Sequence, residues 1–86
     1  MMSAPRIQSV RPLANRHLRV KFVNGVEKDY DCNPLLGLDM FQFLKSEALF
    51  KAVKVDPGGY GISWNDDADL SEYELWSNGQ ELTSAG

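Results

Sequence analysis

The chain has 86 residues, a net charge of −3 and 43% hydrophobic residues. That length allows one domain with one thin core and excludes a substrate cavity enclosed by two lobes. The ordinary apolar content and well-spread aromatics exclude wholesale disorder, and no apolar run approaches the ~20 residues that span a bilayer.

The charge is unevenly divided. Met1 to Lys28 holds six basic residues and one acidic, whereas Asp29 to Gly86 holds three basic and eleven acidic. Such a split fits either a nucleic-acid face at one end or two halves that neutralise each other across a sheet. The N-terminal Met1-Met2-Ser3-Ala4-Pro5-Arg6 lacks the apolar stretch of a secretory signal, and Cys32 is the single cysteine. Both observations point to the cytoplasm.

In chain order, residues 6–79 are expected to form one α+β domain, with flexible ends at 1–5 and 80–86. Ile7 to Val10 reads as a first strand, which Pro12 ends or confines to a sheet edge. Leu18, Val20 and Phe22 alternate with His17, Arg19 and Lys21, the period of a half-buried strand. After Asn24-Gly25, Val26 to Cys32 continues as its hairpin partner. A two-residue turn would set Lys21 against Lys28 and face Glu27, Asp29 and Asp31 toward the apolar row. A three-residue loop with Gly25 left-handed shifts the pairing by one. Leu18 then faces Tyr30 on the core side, while Lys21 meets Glu27, Arg19 meets Asp29 and His17 meets Asp31. A one-residue slip inverts the whole face, so the bulged register is expected.

Asp39 is positioned to cap a short helix through about Lys45, and Ser46 a further turn from Glu47 to Phe50. Val53 and Val55 begin another strand, Asp56-Pro57-Gly58-Gly59 reverses the chain, and Tyr60, Ile62 and Trp64 return. A four-residue loop would set Val55 against Tyr60 and Val53 against Ile62, with both apolar rows on one face. Ser71-Glu72-Tyr73-Glu74 has the form of a capping box, with Leu70 and Leu75 as its hydrophobic staple and Asn78-Gly79 as the stop. The expected architecture is a mostly antiparallel sheet of two hairpins plus an N-terminal strand. A short helical segment lies between the hairpins, and a short capped helix follows them.

The chemistry-bearing residues have plain structural readings. His17, the sole histidine, could be oriented by Asp31 for base catalysis, but it reads as a cross-strand partner. Cys32 lacks the electropositive setting of a nucleophilic thiol and reads as a small, partly buried apolar residue. Asp66, Asp67 and Asp69 lack the glycine and bidentate glutamate of a calcium loop and read as a solvated turn. Gly58-Gly59-Tyr60-Gly61 lacks the Lys-Ser/Thr of a phosphate loop. No catalytic residue, metal ligand or cofactor is therefore assigned. Trp64 is expected in the core, whereas Trp76 and Tyr73 on the last helix are candidate contacts with a partner protein. Arg6, Arg11 and Arg16 are the basic residues left over once Arg19 and Lys21 pair with acids.

Several of these residues also carry a family resemblance. Leu18-x-Val20-x-Phe22-x-Asn24-Gly25, Tyr30-Asp31, Pro34-Leu35-Leu36, Phe41-x-x-Leu44 and Leu49-Phe50-x-x-Val53-x-Val55 occur in that order. Gly61-Ile62-x-Trp64, Asp69-Leu70 and Leu75 follow. The pattern over residues 7–77 resembles the small bacterial family catalogued as domain of unknown function 2442, although Asn65-Asp66-Asp67-Ala68 stands where relatives often have a Gly-containing turn. The resemblance implies a compact α+β domain of the bacterial cytoplasm. Some relatives carry a helix-turn-helix domain, not expected here, and others are encoded beside a second small protein in toxin–antitoxin-like pairs. Residues and resemblance together lead to the expectation of a non-enzymatic protein-interaction module, one partner of such a pair. The alternative is a nucleic-acid-associated regulator acting through the basic N-terminal segment.

Overall fold

In the computed structural model, residues 4–82 are described. Seven strands form two antiparallel sheets: β1 (Ile7–Pro12), β2 (His17–Phe22), β3 (Glu27–Asp31) and β7 (Gln80–Glu81) in the order β1-β2-β3-β7, and β4 (Lys54–Val55), β5 (Gly61–Asn65) and β6 (Ala68–Ser71) in the order β4-β5-β6. The α+β class follows the sequence expectation, with the strands divided between two sheets instead of one. A helical connection links the sheets through two 3₁₀ turns, Asn33–Gly37 and Asp39–Lys45, and the single α-turn α1 (Glu47–Phe50). A two-turn helix, α2 (Glu72–Asn78), follows β6.

The first hairpin adopts the bulged register. Leu18 lies opposite Tyr30, Val20 opposite Lys28 and Lys21 opposite Glu27. Gly25, at φ 91°, donates to the Phe22 carbonyl, and Phe22 N–H donates to the Val26 carbonyl. Leu18, Val20, Phe22 and Tyr30 are consequently buried on one face. Burial of each such side chain is worth roughly 1.5–3 kcal/mol, against about 0.2–1 for an exposed cross-strand ion pair. The core therefore decides the alignment, and the charges follow it.

The second hairpin departs from expectation. Val55 lies opposite Ile62, not Tyr60, and Lys54 opposite Ser63. Pro57–Gly59 forms a 3₁₀ turn in which Gly58 and Gly59 are left-handed, so the reversal absorbs Tyr60, which is exposed. The two-residue shift keeps each strand's face, and Ile62 and Trp64 remain in the core. Gly59 also lets the turn approach β1: a Cβ there would lie 2.5 Å from the Ile7 carbonyl oxygen.

Asp39 does not cap a helix. The segment Asp39–Lys45 is 3₁₀, preceded by Leu38 with no side-chain cap. Ser46 does cap α1, accepting from the Leu49 amide at 3.4 Å, and Ser71 caps α2, accepting from the Glu74 amide at 3.1 Å. The capping box is only half formed. Glu74 Oε2 accepts from the Tyr30 hydroxyl at 2.8 Å, which α2 meets by packing beside β3, and from Asn78 Nδ2 at 2.9 Å, four residues along the same helix. Asp66-Asp67, read as part of a solvated turn, is the reversal between β5 and β6, and Asp69 lies within β6. Gln80–Glu81, expected in a loose end, pairs with Lys28 and Asp29.

Gly59→Ala should destabilise the fold by at least about 1–3 kcal/mol from left-handed strain alone, with the Ile7 contact adding to it. Gly37→Ala, with nothing within 4 Å of the new methyl and no left-handed φ, should stay within about 0.5 kcal/mol. Urea denaturation of the two variants measures the difference.

Candidate functional site

The face of the first sheet away from the core carries three rows of polar side chains. Ser9 and Arg11 come from β1, His17, Arg19 and Lys21 from β2, and Glu27, Asp29 and Asp31 from β3. The register sets Ser9 beside Lys21 and Arg11 beside Arg19, then Arg19 beside Asp29 and His17 beside Asp31. Backbone register does not become the expected ion pairing. His17 Nδ1 lies 2.5 Å from Asp29 Oδ1, and its Nε2 lies 3.5 Å from Asp31 Oδ1. The imidazole thus reaches diagonally and takes the carboxylate that faces Arg19. Among the described residues, neither Arg19 nor Lys21 has an acidic group within 4.0 Å. Arg19 Nε is buried and has no hydrogen-bond partner among the described residues. Ser9, Val10, Arg11, Arg19, Lys21 and Glu27 line an open groove of about 390 Å³.

The other basic residues expected to be free behave differently. Arg16 sits with Asn15 in a left-handed turn between β1 and β2, at φ 61° and 60°. Its Nε donates to the Leu44 carbonyl at 2.7 Å and its Nη2 to the Lys45 carbonyl at 2.8 Å, with the guanidinium 5.5 Å from the Phe50 ring centre. It fastens the helical connection to the first sheet. Arg6 is exposed at the start of the first sheet and rests 4.7 Å over Tyr60. Of the three expected free arginines, only Arg11 joins the groove. Arg19 and Lys21, expected in ion pairs, are available cations as well, because the diagonal reach of His17 depends on side-chain placement and not on register.

The two aromatic candidates separate. Tyr73 is exposed on α2. Trp76 is half-buried, meeting Phe22 edge-on with ring centroids 5.0 Å apart, and the Lys28 ammonium lies 4.1 Å over its ring. That ammonium also donates to the Trp76 carbonyl, one of the carbonyls a helix end leaves without an intrahelical partner. Trp76 therefore packs against the core and stays partly exposed.

Cys32 and His17 do not face each other as nucleophile and base. The Cys32 thiol is in the core, and burial pushes its pKa up to about 12, with Asp31 adding to the effect. His17 lies on the polar face, where its hydrogen bond to Asp29 raises its pKa above 6.5 and the Asp31 charge adds to the shift. Asp31 is lowered, chiefly because its carboxylate accepts from the Asn33 amide at 2.9 Å and from Asn33 Nδ2 at 2.7 Å. Burial, with the hydrogen bond to Glu74, raises Tyr30 well above 10. Among the described residues, no three histidine, cysteine or acidic side chains gather as a metal site would require, and no helix is long and apolar enough to cross a membrane.

Two small antiparallel sheets, joined by a 3₁₀-rich connection and closed by a capped two-turn helix, define an α+β protein with a basic groove on one sheet face. The chain belongs to the family described as Protein of unknown function (DUF2442), whose model matches residues 7–81. No curated protein and no solved structure matches it.

Because the folded pKa of His17 is raised, its stabilising contribution is full below pH 6.5 and is lost as pH rises through the folded value. Denaturation midpoints should fall modestly over that window, and His17→Asn should flatten the slope. A thiol-exchange reagent at pH 8 should modify Cys32 at least about 100-fold more slowly in the folded protein than in denaturant. Absorbance of the released thiol reads that ratio.

Proposed function

We propose that this chain is a non-catalytic protein-interaction module of the bacterial cytoplasm, one member of a two-protein, toxin–antitoxin-like pair. The reading is carried by the helical connection. Leu38, Met40 and Leu49 are 51%, 57% and 50% exposed, while Phe41, Leu44 and Phe50 from the same segment enter the core. Singly scattered apolar residues on a surface are ordinary, but we read three large ones on one short connection as an apolar ledge that a partner's surface would cover. Arg16 supports this role by holding the connection at its Leu44 and Lys45 carbonyls, so the ledge is presented on fixed backbone. Exposed Tyr73 on α2 offers a second contact, with a ring of low conformational entropy.

The placement of Cys32 and His17 speaks for contact over chemistry. A buried, protonated thiol and an imidazole held by two carboxylates supply neither nucleophile nor free base. Nucleic-acid contact through Arg6, Arg11 and Arg16 together has less support, because the Arg16 guanidinium is committed to two backbone carbonyls.

Leu38→Lys combined with Met40→Lys should leave the thermal midpoint within a few degrees and weaken partner association at least about tenfold. The check is co-purification of the tagged chain with the product of the neighbouring gene, native against variant. Equal recovery of that product by both proteins, or its absence from both, overturns the reading.

A further inference from the structure

We propose that the groove on the polar face of the first sheet is a binding site for a compact phosphate-bearing anion, a free phosphate or pyrophosphate or the phosphate end of a small metabolite. This goes beyond the protein-contact reading and does not rest on it. Arg11 and Arg19 are direct cross-strand neighbours, and Ser9 and Lys21 are the next pair along the same ladder. Like charges placed opposite each other on a sheet repel unless an anion lies between them. Asp29, the carboxylate that register offers to Arg19, is held by His17 at 2.5 Å. Arg19 Nε is left buried without a partner among the described residues, a state that protein structures rarely leave uncompensated.

The donors suit phosphate. Two guanidinium groups offer planar forks that match phosphate oxygens, Lys21 adds a mobile ammonium, and the Ser9 hydroxyl can donate as well. The groove, at about 390 Å³, exceeds the needs of one phosphate and suits a small phosphorylated molecule. None of its lining residues is aromatic, so it offers no platform on which a base would stack. Glu27 lines one side of it, and Asp29 and Asp31 continue that acidic row along β3. A long polyanion laid along β1 and β2 would run beside this whole row, whereas a compact anion in the groove meets only Glu27. The occupant is therefore small.

The test is a titration of the full chain followed by ¹H–¹⁵N NMR, including the arginine Nε–H signals. The probes are pyrophosphate, inorganic phosphate and ribose 5-phosphate, with sodium chloride at matched ionic strength and a ten-nucleotide oligothymidylate as comparisons. The expected result is saturable movement of the Arg19 Nε–H signal and of the Ser9, Arg11 and Lys21 amides with at least one compact phosphate, and none with chloride. Arg19→Gln and Arg11→Gln should each raise the Kd at least about tenfold, and Arg6→Gln should leave it unchanged. Should Arg19→Gln fail to fold, Lys21→Gln on the exposed rim takes its place, with a smaller expected loss. Absence of saturation by about 10 mM, or affinities that the Arg11 and Arg19 substitutions do not change, overturns the site. Binding of oligothymidylate without binding of any compact phosphate also overturns it, in favour of a nucleic-acid surface.

Discussion

The alignment of β2 with β3 is the constraint from which the remaining packing follows. Left-handed Gly25 lets the loop close one residue later than a tight reversal would, and this puts Leu18, Val20 and Phe22 on the same face as Tyr30. That face is where α2 docks. Phe22 and Trp76 meet edge to face, Tyr30 donates to Glu74, and Lys28 reaches the helix end. A slip by one residue would turn Tyr30 and Lys28 away from this face and bring Glu27, Asp29 and Asp31 beside Leu18, Val20 and Phe22 in the core. Burying three carboxylates without partners is far more costly than any exposed ion pair could offset.

The short elements have little stability of their own. One α-turn, two 3₁₀ turns and a two-turn helix are all below the length at which a helix persists alone in water. Long-range contacts hold them in place. Arg16, projected by an unusual left-handed Asn15-Arg16 turn, ties the connection to the first sheet. Trp64 Nε1 donates to the Phe50 carbonyl at 3.0 Å and ties the same connection to the second sheet. The Gly59 turn lies against Ile7 and brings the second hairpin beside the edge strand β1. The two sheets thus share one core without sharing a hydrogen-bonded ladder.

The polar face obeys a different rule. Solvent makes its side-chain pairings weak, so small advantages of reach decide which carboxylate goes to which cation. His17 contacts two carboxylates, and the Arg11–Arg19 pair is left as adjacent positive charges. The charge asymmetry of the chain is therefore only partly neutralised across the sheet, and a basic groove remains on a protein whose net charge is negative.

Period-two alternation and the Asn24-Gly25 signal determined the first hairpin, its register and its buried row, because one-sided burial admits a single alignment. Serine caps determined where α1 and α2 begin, Trp64 could be placed in the core as a large apolar side chain of a small domain, and Cys32 could be read as partly buried. The six-residue reversal around Pro57-Gly58-Gly59, the β6 strand that follows Asp66-Asp67 and the β7 pairing were not legible, since each is set by what lies beside it and not by local propensity. The same holds for the charged residues. Sequence alternation says which of them share a face, but the positions of Arg16 over the helical connection and of His17 on Asp29 depend on side-chain reach across distant backbone. Only the tertiary structure decides which cations are spent on the fold and which remain for a ligand.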